Sequence, residues 1–217
     1  MLILNFHGVG LPKRELVASE QSVWIGESLF NTILDYACTQ SGIELTFDDA
    51  NESDYSIALP ALQARGMKAQ FFVVAERMGR NAFLSREQLN ALVAAGMAVG
   101  NHGMKHRPWA KLAEGELREE LVEARDRLEQ LTGAPIRKAA CPFGSYNRRV
   151  ISALRNFGYE SIYTSDGGAA QPEALIQPRN SAQPDWDRKT IENFQADRPK
   201  VGWGIWTQLK LLAKQYR

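Results

Sequence analysis

Short runs of apolar and β-branched residues alternate along this chain with longer stretches in which apolar residues recur every three or four positions. Runs of the first kind predict β-strands, and stretches of the second kind predict amphipathic helices. The regular alternation of the two predicts an α/β protein with a mainly parallel sheet. Seven strands are predicted, at 2–7, 43–48, 70–74, 97–101, 137–141, 161–165 and 174–178.

The same pattern predicts five helices between the strands, most of them ended by a glycine. They lie at 27–41, 55–65, 85–95, 114–132 and 147–157. The stretch 114–132 is the clearest, because Leu117, Leu121 and Leu128 follow helical spacing among charged residues. Residues 179–204 are rich in Pro, Asp, Asn and Gln, so we expect an irregular segment there.

The pattern divides the chain into a main α/β domain at 1–179 and a C-terminal part at 180–217. Near the end, Ile205, Leu209 and Leu212 share one helical face, which predicts an amphipathic helix that packs on the main domain. Because lysines lie elsewhere on this helix, binding to an anionic membrane surface is the alternative.

Composition narrows the class of protein. Of the 217 residues, 44% are hydrophobic, which is enough for a buried core, and 26 Lys and Arg stand against 25 Asp and Glu. So balanced a charge argues against a nucleic-acid partner. The apolar start reaches a histidine too soon for a secretory signal, and no run is long enough to span a membrane. We therefore expect a cytoplasmic protein, or one peripheral at the inner membrane surface, with Cys38 and Cys141 as reduced thiols.

Candidate chemistry gathers where predicted strands end. All three histidines, His7, His102 and His106, lie at or just past the ends of predicted strands, and so does the acidic pair Asp48 and Asp49. The carboxyl ends of parallel strands meet at one edge, where functional groups collect. Adjacent carboxylates repel unless a cation relieves them, and one carboxylate with two imidazoles is a catalytic type of metal site. Asp49, His102 and His106 could supply that set.

Three motifs carry a family resemblance. They are TFDD at 46–49, HGMKHRPW at 102–109 and CPFGSYN at 141–147. In order and spacing they resemble the first three motifs of the polysaccharide deacetylases, carbohydrate esterase family 4, over about 1–179. The resemblance implies a single-domain, distorted (β/α) barrel of about seven parallel strands. It also implies metal-dependent removal of acetyl groups from N-acetylated sugars.

Carried over motif by motif, the resemblance implies a general base at Asp48 and divalent-metal ligands at Asp49, His102 and His106. The third motif implies an oxyanion contact from the backbone N–H of Phe143. Gly144 and Tyr146 are further candidates for substrate contact, since sugars stack on exposed aromatic faces; the alternative for Tyr146, and the default, is core packing. Zinc is the default metal for hydrolysis with nitrogen and oxygen ligands, and cobalt, nickel, iron or manganese would also fit.

The family's acid histidine lies near the C-terminus in a Leu-x-His motif, but this chain has no histidine after His106. The N-terminal strand ends in LILNFHG, which resembles that motif permuted to the front, as in relatives that deacetylate exopolysaccharides. We therefore assign His7 as the general acid, since an imidazole pKa near 6.5 suits proton donation at neutral pH. The alternative is a histidine that only hydrogen-bonds at a strand end.

Other positions depart from the family pattern. Ala140 replaces the arginine that orients the base, and Arg179 is our candidate for supplying that charge. Asp166 resembles the acidic residue that tunes the acid histidine, and equally a turn aspartate before two glycines. Gly103 stands where the family often has Ser or Thr, and Ala50 where it often has Gly.

These observations favour an N-deacetylase acting on an N-acetylhexosamine of a cell-surface or exopolysaccharide precursor, either an oligosaccharide or a lipid-linked intermediate. Two alternatives remain. One is a hydrolase of a small non-sugar amide on the same barrel, and the other is a catalytically impaired carbohydrate-binding relative. A redox iron enzyme is disfavoured because its usual His-x-Asp pairing is absent.

Overall fold

The computed structural model describes residues 1–196. Within them the strands are β1 (Leu2–Phe6), β2 (Gly8–Val9), β3 (Trp24–Ile25), β4 (Ile43–Asp48), β5 (Gln70–Val73), β6 (Ala98–Asn101), β7 (Lys138–Ala140), β8 (Ser161–Thr164), β9 (Ile176–Pro178) and β10 (Asn180–Ser181). The helices are α1 (Ala18–Gln21), α2 (Glu27–Ala37), α3 (Leu59–Ala64), α4 (Arg86–Ala94), α5 (Glu114–Arg118), α6 (Ala124–Thr132), α7 (Arg148–Asn156) and α8 (Arg188–Ala196). The seven predicted strands and the five helices predicted between them are present, most with shorter ends.

The main sheet has eight strands in the order β10-β1-β4-β5-β6-β7-β8-β9, and all neighbouring pairs are parallel. Strands β9 and β10 lie at opposite ends of this order, although only Arg179 separates them in the chain. One bent segment, 176–181, therefore pairs with β8 on one side and β1 on the other, and it curls the sheet into a distorted barrel. The predicted fold is confirmed, and the closing segment continues two residues past Arg179.

The barrel interior has an apolar layer below a polar one. Side chains of Ile3, Phe72, Ala140 and Tyr163 form the apolar layer. Because side chains alternate along a strand, the inward positions nearer the strand ends form the layer above. These positions carry buried polar groups, among them Asn5, Thr46, Asp48, His102 and Arg179. The outward positions pack apolar side chains against the helices.

A π-helical turn interrupts the long predicted helix at 114–132. Helix α5 ends at Arg118, the π turn spans Glu119–Glu123, and α6 follows to Thr132. A second π turn, Asp54–Ala58, leads into α3. A π turn inserts an extra residue into helical geometry and is often found at functional sites.

The prediction of an irregular segment at 179–204 is wrong for its described part, which contains β10 and helix α8. Asp187 starts α8 by accepting a hydrogen bond from the Thr190 backbone N–H (2.8 Å), as helix-capping residues do. Trp186 and Phe194 stack at 5.0 Å and pack against the core. Capping and packing thus outweigh a polar composition.

The predicted helix near the C-terminus, in 204–217, lies outside the described residues. Among residues 1–196, no helix has both the length and the apolar character that crossing a membrane requires.

Candidate active site

A pocket of about 440 Å³ opens at the carboxyl edge of the barrel strands. Its wall includes residues of the loop between β2 and β3, a loop that the sequence pattern did not single out. The predicted site residues and this loop together line it: His7, Val17, Ser19, Glu20, Val23, Asp48, Asp49, Arg77, His102, His106, Cys141, Phe143, Ser165 and Ser181.

Asp48 ends strand β4 and is buried in a network of hydrogen bonds. Both carboxylate oxygens accept hydrogen bonds from the Arg179 guanidinium, each at 2.7 Å, and Asn5 donates a third at 3.1 Å. Burial alone would raise the pKa of Asp48, but the charges of Arg179 and His102 hold this pKa well below its usual range. Asp48 is therefore a fixed, ionised carboxylate.

Asp49 has different partners, because the backbone turns sharply after Asp48. Its φ of 80° and the φ of 59° at Ala50 lie in the left-handed region. This turn brings Asp49 Oδ1 within 2.6 Å of Arg77 Nη1 and within 3.3 Å of His106 Nε2. Burial acts to raise the pKa of Asp49, but the charges of His106 and Arg77 lower it.

His102 follows strand β6 and is almost fully buried. Its Nδ1 lies 2.8 Å from the carbonyl oxygen of Ala140. A carbonyl oxygen can only accept a hydrogen bond, so Nδ1 carries a proton, and in the neutral ring the lone pair is then on Nε2. That Nε2 lies 3.9 Å from Asp49 Oδ1 and 3.7 Å from Asp48 Oδ2.

His106 completes a cluster that can hold a cation. The ligand atoms of Asp49, His102 and His106 all lie within 4.8 Å of one another. Metal–ligand bonds of 2.0–2.2 Å place the ligand atoms of a tetrahedral zinc about 3.4 Å apart, so small side-chain movements would suffice. Burial, together with His102, lowers the pKa of His106 to about 3, which leaves the ring neutral as a metal ligand must be. The donor set therefore fits a divalent cation.

His7 lies on the inward side of the barrel beyond β1, with Nε2 3.8 Å from Asp48 Oδ2. The Asn51 side chain holds its backbone by donating to the carbonyl oxygen at 2.5 Å. Its Nδ1 is buried and has no hydrogen-bond partner in the part of the chain that is described. Burial lowers the pKa of His7, although the charges of Asp48 and Asp49 act in the opposite direction.

Backbone strain is concentrated at this pocket. Among residues 1–196, five residues other than glycine have a positive φ, and four of them, Asp49, Ala50, His106 and Phe143, lie at or beside the site. Such conformations persist only where the surroundings hold them, and they often mark functional sites. Phe143 is 64% exposed, and the centroid of its ring lies 4.5 Å from that of the His106 ring. Gly144 forms the same turn by donating its N–H to the carbonyl of Cys141.

Two neighbouring candidates, Tyr146 and Asp166, contact each other in the structure. Tyr146 is only 4% exposed and belongs to the same buried cluster as Trp109, so its ring is not open to stacking on a sugar. Its hydroxyl instead donates to Asp166 at 2.7 Å. Among residues 1–196 the Nδ1 of His7 has no hydrogen-bond partner, so Asp166 does not bind this histidine at the nitrogen where a tuning carboxylate would act.

Of the supporting residues, Arg179 lies where the sequence proposed, against Asp48. Arg77 and Asn5 were missed. Arg77 follows the end of β5, so the rule that locates the other site residues would have found it. Asn5 is a polar residue inside the apolar run of β1, which is the signal that a buried polar contact leaves in a sequence.

Comparison with known proteins gives a family and a fold. A family model described as polysaccharide deacetylase matches residues 37–162, more than half of the chain. The chain is 23% identical to YxkH of Bacillus subtilis over 184 residues, which are 77% of this chain and 65% of that protein. It is 26% identical to a chitooligosaccharide deacetylase of Bradyrhizobium sp. over 159 residues, 72% of this chain and 66% of that protein. The chain thus spans less than two thirds of either relative.

Among solved structures, the fold resembles that of a Streptococcus pyogenes deacetylase, PplD, in complex with acetate. The TM-score is 0.78 at 19% identity, and the superposition covers 89% of this chain and 97% of the other. At this identity the likeness is one of fold.

Proposed function

This chain belongs to the polysaccharide deacetylase family, and we propose that it is a metal-dependent hydrolase that removes N-acetyl groups from N-acetylhexosamine units of a polysaccharide or glycan precursor. The observation that carries the proposal is that the two adjacent carboxylates have different partners. Asp48 is held by Arg179, whereas Asp49 faces His106 and lies near His102. One ionised carboxylate is thus kept for proton transfer and the other for a cation.

In this proposal Asp49, His102 and His106 bind the divalent cation. Two imidazole nitrogens and one carboxylate oxygen favour zinc, and they also accept cobalt, nickel, iron or manganese. The bound cation would supply Lewis acidity, which activates water and polarises an amide carbonyl. The chain's own residues must then move the protons and hold the substrate.

Asp48 acts as the general base. Its lowered pKa keeps it ionised at working pH, and the two hydrogen bonds from Arg179 fix its orientation. An amine leaving group must also be protonated, and His7 is the candidate acid because it lines the same pocket 3.8 Å from Asp48. The exposed Phe143 offers a ring face to a sugar, and its backbone N–H is the candidate oxyanion donor.

The substrate class is supported by the family and by the relative described as a chitooligosaccharide deacetylase. The test is metal analysis of the purified protein followed by measurement of acetate release from N-acetylglucosamine oligomers. Wild type should bind about one divalent cation and release acetate. Asp48→Asn should keep the cation and lose activity by about 10²–10⁴-fold.

Two outcomes would contradict the proposal. Bound metal without acetate release from any acetylated sugar would favour hydrolysis of a non-sugar amide or a binding role. Equal activity of wild type and Asp48→Asn would remove Asp48 as the base.

A further inference from the structure

Glu120 is fully buried behind the loop that carries His106, although it belongs to the π turn between α5 and α6. Its Oε1 accepts hydrogen bonds from the Lys105 backbone N–H at 3.1 Å and from Arg107 Nε at 2.8 Å. Its Oε2 lies 3.5 Å from the indole N–H of Trp109. One carboxylate therefore binds the loop on both sides of His106.

The π turn is itself fastened to the barrel. Asn101, the last residue of β6, donates from its side chain to the carbonyl oxygens of Glu120 at 3.0 Å and Leu121 at 3.3 Å. The Tyr159 hydroxyl donates to the Leu121 carbonyl at 2.6 Å. These bonds satisfy carbonyl groups in the irregular turn and fix Glu120 relative to the strand that leads into His102.

The close approach of Glu120 also explains why residue 103 is glycine. A Cβ atom on Gly103 would lie 2.2 Å from Glu120 Oε2, and the φ of Gly103 is +89°. A serine or threonine, which the resembling motif often has here, would displace the carboxylate. The absence of a side chain at Gly103 therefore leaves the space that the Glu120 carboxylate occupies.

We propose that Glu120 is a positioning residue of the metal site, acting through the loop 103–109. His106 has a strained φ of 59°, which the loop keeps only if its neighbours are held. Glu120 holds Lys105 and Arg107, and His106 Nε2 then faces Asp49 Oδ1 at 3.3 Å. This inference rests on the proposed metal site.

The test compares full-length Glu120→Gln with a matched control, Glu119→Gln. Glu119 also binds the side chains of Arg107 and Lys105, at 2.5 and 2.6 Å, but it is partly exposed and no backbone N–H of the loop donates to it. Co²⁺ affinity is measured by calorimetry, and the visible absorption of bound Co²⁺ reports the ligand geometry. Glu120→Gln should weaken Co²⁺ binding by about 10–100-fold and alter the absorption spectrum. Glu119→Gln should stay within about twofold of wild type.

Each outcome decides the question. Wild-type Co²⁺ affinity and spectrum in Glu120→Gln would overturn the inference, even if its melting temperature falls, because Glu120 would then be only structural. If Glu120→Gln does not fold, Arg107→Gln loosens the same contact from the loop side; a weaker loss of Co²⁺ affinity supports the inference, and no loss overturns it. If wild type binds no Co²⁺, the proposed metal site itself fails.

Discussion

The pairing of Arg179 with Asp48 yields the sharpest prediction, and the change to make is Arg179→Met. Arg179 is 1% exposed, and its guanidinium, besides its two bonds to Asp48, donates to Asn5 Oδ1 at 2.9 Å. Methionine fills much of the space without the charge. The buried Asp48 carboxylate is left with the Asn5 side chain as its hydrogen-bond donor.

Removing one partner of a buried ion pair costs about 3–5 kcal/mol, because the other charge stays buried and uncompensated. For a chain of this size the melting temperature should fall by roughly 6–20 °C. Adding Asp48→Asn should recover about 1–3 kcal/mol, since the second change removes the uncompensated charge. Urea denaturation in EDTA at pH 8 of wild type, Arg179→Met, Asp48→Asn and the double variant measures the loss and the recovery of the free energy of unfolding. Thermal denaturation measures the melting temperature.

The effect should depend on pH in a defined direction. In wild type the pKa of Asp48 is lowered, so its contribution to stability is complete above about pH 4, the unfolded pKa, and is lost below it. In Arg179→Met, burial dominates and should raise the pKa of Asp48 above the unfolded value. The folded variant then takes up a proton as pH falls, and its deficit relative to wild type should shrink from pH 8 towards pH 4.

The reasoning is refuted if Arg179→Met loses less than about 1 kcal/mol at pH 8. It is also refuted if its deficit is the same at pH 8 and pH 4.5, or if Asp48→Asn restores no stability. Any of these results would mean that Arg179 is not what compensates the charge of Asp48.

Three further predictions concern the histidines and the cysteines. His102→Ala should lose bound metal by elemental analysis, whereas His7→Ala should keep the metal and lose about 10²–10⁴-fold in kcat; full activity of His7→Ala would refute its assignment as the acid. Because burial lowers the pKa of His106 from 6.5 to about 3, the unfolded chain binds more protons between these values. The metal-free protein should therefore lose roughly 1 kcal/mol per pH unit from this residue below about pH 6.5. In urea titrations His106→Asn should show a shallower slope, and equal slopes would contradict the prediction. In a thiol titration, exposed Cys38 should react in the folded protein and buried Cys141 only after denaturation; two fast thiols would mean that the wall at Cys141 is open.

Much of the fold could be predicted from the sequence because its signals are local. An inward-facing strand position and a helix stripe are encoded by hydrophobic spacing over a few residues, which is why the seven predicted strands and the five helices between them are present. The short strands β2, β3 and β10 and the helices α1 and α8 were not predicted. The same reasoning placed Asp48, Asp49 and His102 at one edge, since Asp48 ends a strand and the other two directly follow one. Polar composition misled at α8, where the Asp187 cap and the packing of Trp186 and Phe194 decide the structure.

The sequence by itself determined which residues lie at the strand ends, and only the tertiary structure decided which of them meet. Arg179 reaches Asp48 across 131 positions because the bent segment 176–181 closes the barrel. Tyr146 carries its motif in the sequence, yet packing turns it into the core. From the sequence, Glu120 is one of several charges on the solvated face of a helix. In the structure, a π turn buries it behind the loop that carries His106. Hydrophobic periodicity is a signal that a few neighbouring residues carry. The pairing of buried charges instead depends on how the barrel closes and on where a π turn interrupts a helix, and the periodicity shows neither.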